Sequence, residues 1–133
     1  MIRRIAREIV LQSLFQIDFS GCDAESALEA SLAEHEEKDA AKAKAYAEKT
    51  LQGVLENLAA IDGKIGEYAI DWTVERMSAT DRNILRVAVY EMMFAEEKIV
   101  PGIAINEAVE IAKRYGTEES PRFINGILGK MVR

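Results

Sequence analysis

Arg3, Arg4 and Arg7 stand within the first seven residues of the chain, and Phe15 follows eight positions, just over two helical turns, after Arg7. Guanidinium groups clamp phosphates and an aromatic ring stacks on an unpaired base, so the combination suits single-stranded RNA. The competing reading is a solvated arginine face, with Arg4 pairing to Glu8 at i+4 and Phe15 in the core; taken alone, the helix favours it. Tyr68, Arg122 and Phe123 pose the same choice: periodicity puts Phe123 on an apolar helix face, and Tyr68 is undecided. Asp81 and Arg82, which open a strongly apolar stretch, read as exposed to a protein partner or to water. Arg86, inside that stretch, must reach the surface or find a carboxylate such as Glu91 or Glu107.

Catalytic chemistry finds little to work with. His35, the only histidine, sits among Glu34, Glu36 and Glu37 with no nucleophile or ligand at a useful spacing, and reads as a solvated helix residue. Cys22 is the only cysteine, which rules out an internal disulfide and a thiolate cluster. Adjacent acidic pairs such as Glu96-Glu97 point apart on a helix and belong to solvated faces. The glycines form no phosphate loop, since no segment reads as a strand that could carry one. The expectation is a protein that is not an enzyme and uses no metal or cofactor.

Charge narrows the search further. The 133 residues carry a net charge of −6, with 49% hydrophobic and 30% charged residues, the composition of one globular domain. Residues 1–18 hold three basic and two acidic groups, residues 19–75 five and thirteen, and residues 76–133 nine and eight. An RNA site must therefore be local, drawn from the first helix and the C-terminal half. No apolar run reaches membrane-spanning length and no signal peptide is visible, so a cytoplasmic protein without a membrane partner is expected.

The elements that must position these groups are helices throughout. Ile2, Ile5, Ile9, Leu14 and Ile17 give a helical stripe from Ile2 to Ile17. A weakly packed helix follows over Ala24 to Glu37, then a long one over Lys38 to Leu58 whose Gly53 permits close backbone approach, and another over Ala60 to Ile70. Asp71-Trp72-Thr73 divides an N-terminal lobe of about 1–71 from a C-terminal lobe of about 72–133. Ser78 to Asp81 cap a helix that is apolar on most sides through Ile84, Leu85, Val87 and on to Phe94, as a buried central helix reads. Pro101-Gly102 precede a helix closed by Tyr115-Gly116, and Ser120 as cap with Pro121 at the first position starts the last. Asn125-Gly126 stays helical, its glycine needing a packing reason such as a close helix crossing.

Three later stretches are more specific. Leu85-Arg86-Val87-Ala88-Val89-Tyr90-Glu91, Ala104-Ile105-Asn106-Glu107-Ala108-Val109-Glu110-Ile111-Ala112-Lys113 and Phe123-Ile124-Asn125-Gly126-Ile127-Leu128, with Arg3 to Glu8 and Leu14-Phe15-Gln16 before them, resemble the signature blocks of the NusB antitermination family, in order and along essentially the whole chain. The resemblance implies an all-α fold of about seven helices in two packed lobes. It also implies an RNA-binding factor that takes boxA single-stranded RNA together with the ribosomal protein NusE, then joins RNA polymerase and other Nus factors to suppress termination, notably in ribosomal RNA operons. By position, Arg3, Arg4, Arg7 and Phe15 match the family's RNA-contacting helix, and Tyr68, Arg122 and Phe123 match other places on that face. Asp81, Arg82 and Glu91 match the region that meets NusE.

Phe15 stands where many members of that family carry tyrosine, which keeps stacking and removes a hydroxyl. The segment before Arg3 lacks a further basic residue, so partner-assisted RNA binding is expected. Two other readings compete: a helical RNA-binding module of the kind fused to ribosomal RNA methyltransferases, for which the chain leaves no room for a catalytic domain, and a structural protein self-associating through Met92, Met93 and Phe94 without RNA. A homodimer is compatible with the family reading as well.

Overall fold

The computed structural model describes residues 2–69 and 73–132; the proposed division at Asp71-Trp72 and the expected helix end at Ile70 lie outside them. Seven α-helices account for most of the described chain, and no described residue lies in a strand. They are α1 (Ile2–Ser20), α2 (Ala24–Leu32), α3 (Glu37–Glu56), α4 (Leu58–Tyr68), α5 (Ala79–Val89), α6 (Pro101–Tyr115) and α7 (Ser120–Met131). A short 3-10 turn spans Val74–Arg76, and a wide π-helical turn, Tyr90–Phe94, continues α5.

Two helices organise the rest. The stripe of α1 buries Ala6, Ile9, Val10, Leu11 and Leu14 against α2, α3 and α5. Helix α5 is buried on nearly every side and packs on α1, α4, α6 and α7, as its all-round apolar sequence predicts. One continuous hydrophobic cluster runs from Ala6 through Leu51, Ile65 and Leu85 to Leu128, so both halves of the chain share it.

Several boundaries differ from expectation, each for a local reason. Helix α2 stops at Leu32 instead of running to Glu37, because Glu34, Glu36 and Glu37 would crowd the negative end of its dipole. Placed instead at the start of α3, Glu37 and Asp39 face the positive end of that helix. His35 consequently sits in the turn, its Nε2 3.2 Å from Gln12 Oε1. The amide of Asn57 donates to the Gly53 carbonyl at 2.8 Å and breaks α3 from α4. Ser78 caps α5 as expected, accepting from the Asp81 amide at 3.1 Å. Ser120 does not cap α7 but is its buried first residue, and its hydroxyl accepts the Thr117 amide at 2.9 Å.

Two glycines separate close approach from simple tolerance. A Cβ on Gly53 would run into the buried Tyr90 ring, so α3 and the π turn meet there only because the side chain is missing. Gly126 has no such reason: it is exposed, and nothing lies within 4 Å of where a Cβ would be. Gly53→Ala should therefore lower stability by about 1–3 kcal/mol through overpacking. Gly126→Ala should raise it by about 0.4–1 kcal/mol through helix propensity and a less disordered unfolded chain. Urea denaturation of the two variants checks both signs.

Candidate nucleic-acid interface

The arginines of α1 divide between interior and surface. Arg7 is only 4% exposed and Glu91 1%. Arg7 Nε lies 2.9 and 3.0 Å from the two Glu91 carboxylate oxygens, and its Nη1 is 3.4 Å from Glu107 Oε1. The Tyr46 hydroxyl donates to the second Glu91 oxygen, so three helices and the π turn meet at this cluster. Arg7, expected as an RNA clamp, and Glu91, expected as a partner contact, are both buried here, and each has the other as its partner. A charge at this depth is tolerated only when it is matched, and Glu91, carried by the π turn, supplies the match.

One turn earlier, Arg4 stays half-buried and donates from Nε and Nη2 to Glu107 at 3.0 and 2.6 Å, in place of the i+4 pairing with Glu8. Glu8 is taken by Arg114 Nη1 at 3.0 Å. Arg3 is exposed, with its guanidinium 4.5 Å above the centre of the Tyr46 ring, a cation–π arrangement that holds the charge at the surface. The hydrogen bonds from Arg4, against the cost of burial, hold the Glu107 carboxyl below its ordinary value of 4.5. Burial costs the Arg7 charge, and Glu91, Tyr46 and Glu107 together more than offset it, leaving Arg7 raised. Tyr46 is pushed up to about 12 by burial, by its hydrogen bond to Glu91 and by that carboxylate's charge.

Arg86 resolves in the expected manner but with different partners. It forks onto Asp62 through Nε and Nη2, both at 2.8 Å, and donates to Asn83 Oδ1 at 2.9 Å, not to Glu91 or Glu107. Asp18, at the end of α1, accepts from Arg82 at 3.3 Å and Asn83 at 2.9 Å. Asp81 and Arg82 are half-buried, and Asp81 Oδ1 and Arg82 Nε have no hydrogen-bond partner among the described residues.

The second group does converge. Tyr68, Arg122 and Phe123 line one cleft of about 210 Å³ with Lys130. Arg122 and Phe123 also border a larger groove, about 700 Å³, completed by Arg76, Met77, Asp81 and Thr117. Sequence reasoning missed Arg76 and Lys130, which carry no pattern of their own: Lys130 joins Tyr68 where α7 packs on α4, and Arg76 borders the groove where α7 meets the segment before α5. Phe15 belongs to neither group and is half-buried against the core. One turn beyond it Phe19 is 96% exposed; its i+4 relation to Phe15 was the available signal. In the segment offered for self-association, Met92 is buried and Met93 and Phe94 are partly buried against the core. Among the described residues no group of three or more His, Cys, Asp or Glu side chains could hold a metal ion, and no helix is long and apolar enough to cross a membrane.

These features define an all-helical scaffold that presents arginines and aromatic rings around one helix and its neighbours. The chain belongs to the NusB family, whose model matches residues 4–133. A transcription antitermination protein NusB from Pelotomaculum thermopropionicum is 48% identical over 132 residues, covering 99% of this chain and 90% of that protein. The solved structure of T. maritima NusB is similar at a TM-score of 0.81 and 42% identity, over 97% of this chain and 89% of that one. A structure of the antitermination factors NusB and NusE in complex with dsRNA shares the fold at a TM-score of 0.81 and 24% identity, over 98% of this chain and 95% of that one.

The Glu107 shift fixes a pH dependence. A carboxyl whose folded value lies below its unfolded one adds stability that is fully present above the unfolded value and is lost as pH falls through the folded value. The stability advantage of the wild type over Glu107→Gln should thus be largest near neutrality and shrink below about pH 4.5, as read from urea midpoints along a pH series.

Proposed function

We propose that the protein is a cytoplasmic RNA-binding adaptor of transcription antitermination and not an enzyme. It takes boxA-type single-stranded RNA together with NusE, and the pair joins RNA polymerase and other Nus factors to suppress termination in ribosomal RNA operons. The observation that carries this reading is the convergence of Tyr68, Arg122 and Phe123 with Lys130 on one cleft: two aromatic rings for bases and two cations for phosphates. Arg3 and Arg4 supply the electrostatic contribution of α1, with Phe15 and the exposed Phe19 as its rings. Asp81 and Arg82, whose hydrogen-bonding capacity is not exhausted within the fold, are assigned to NusE. Arg7 and Glu91 hold α1 in place and touch neither ligand. The helices before and after residue 72 act as two lobes joined through the contact of α1 with α5.

The family supplies further support. Its relatives are antitermination proteins, and a fold neighbour is seen with NusE and RNA. With about four phosphates neutralised, the logarithm of RNA affinity should fall with the logarithm of salt at a slope of about −3. A boxA-type RNA should bind in preference to a scrambled one and bind more tightly when NusE is present. Arg122→Ala with Lys130→Ala should weaken binding and flatten the slope by about 0.7 for each phosphate no longer neutralised. Fluorescence anisotropy at several salt concentrations measures all three; equal, weak binding to both RNAs with and without NusE contradicts the proposal.

A further inference from the structure

Helices α2 and α3 both lie on α1 and touch one another only lightly. Helix α2 is nine residues long and rich in alanine and serine, so it fills little of the space beside its longer neighbour. The result is an open trough of about 530 Å³. Its floor is Leu28, Leu51 and Leu55, the last two one helical turn apart, and its rim carries Glu25, Glu48 and Glu56. The only charged groups lining it are acidic.

Glu25, Glu48 and Glu56 have no lysine or arginine at ion-pair distance among the described residues, so the negative charge of the rim is not neutralised from within the fold. Glu56 accepts only from the Gln52 amide at 3.3 Å. The trough also lies in the segment 19–75, where thirteen acidic residues face five basic ones, so the surrounding field is negative. A nucleic acid is repelled from such a surface, and a cation is attracted to it.

The geometry points to a docking site, separate from the RNA cleft, for a basic amphipathic helix of a protein partner. Aliphatic side chains at i and i+4 seat on the leucine floor, and flanking lysines or arginines meet the three glutamates. Two walls that are themselves helices leave a channel into which a third packs by the same ridges and grooves. A second copy of this chain is a poor occupant. Its basic helices already bury their apolar faces in the core, and Arg4 and Arg7 of α1 are held by Glu107 and Glu91. Because the trough shares no lining residue with the Arg122–Phe123 clefts, the inference stands or falls independently of the RNA reading.

The test uses the full chain and two labelled peptides of identical lysine, leucine and alanine composition. In one the leucines share a helical face; in the other they are scattered around it. Anisotropy should show saturable one-to-one binding of the first and binding about tenfold weaker for the second, with amide shifts centred on α2 and α3. Glu48→Lys with Glu56→Lys, both at exposed positions, should weaken the first peptide by about tenfold or more through like-charge repulsion, and the neutral Glu48→Gln with Glu56→Gln pair by less. Unchanged circular dichroism melts confirm that these variants stay folded. Equal affinity for both peptides, shifts centred elsewhere, or indifference to charge reversal overturns the inference. So does a concentration-dependent dimer in sedimentation that charge reversal dissolves, since the occupant would then be a second copy.

Discussion

The ion pair between Arg7 and Glu91 is the constraint around which the molecule is arranged. Both groups are almost fully buried, so neither is tolerable without the other. Meeting that requirement fixes the rotation of α1 about its axis and its depth against α5. It also accounts for the π-helical turn at Tyr90–Phe94, where one extra residue turns Glu91 inward, with the Ala95 amide closing the wide ring onto the Tyr90 carbonyl at 2.8 Å. Tyr46 from α3 and Glu107 from α6 complete the cluster, so four separate stretches of chain are tied at one point.

From that anchor the surface follows. With Arg7 turned inward, Arg4 lies at the boundary and Arg3 projects outward over Tyr46, a graded exposure along a single helix face. At the other end of α1, Asp18 engages Arg82 and Asn83, and Arg86 reaches Asp62 on α4. Helix α5 is thus pinned to α1 and α4 through Arg82, Asn83 and Arg86, which interrupt its otherwise apolar surface. The Arg122–Phe123 clefts open along α7, and the acidic trough opens between α2 and α3, with no lining residue in common. The trough's charged lining is acidic throughout, whereas Arg122 and Lys130 border the α7 cleft, so the net charge of −6 is unevenly spread over the surface.

Much of this was legible in the sequence. Helical period placed all seven helices, the all-round apolar character of Ile84 to Val89 marked the central one, and Ser78 announced its cap. Burial of a charge leaves no such signature. Arg7 belongs to the same arginine-rich opening as Arg3 and Arg4, and its role depends on carboxylates 84 and 100 residues away. Arg86 shows the same limit: the need for a carboxylate was clear, but Asp62 was chosen by packing between α4 and α5. The end of α2 could have been read from the acidic run at Glu34 to Glu37, because helix dipoles sort charge by terminus. Gly53 was legible as a close approach and Gly126 was misleading as one, since tolerance of a glycine and need for it look alike in a single sequence.

Arg7 and Glu91 act as one structural unit, and a double-mutant cycle on folding stability can show whether they do. Arg7→Met, Glu91→Leu and the double variant are each unfolded in urea. Each single substitution should cost about 3–5 kcal/mol, by stranding a buried charge, and the double variant should recover most of the loss because both charges leave together. Losses that simply add would contradict it, and would return Arg7 to the surface as one more arginine waiting for RNA.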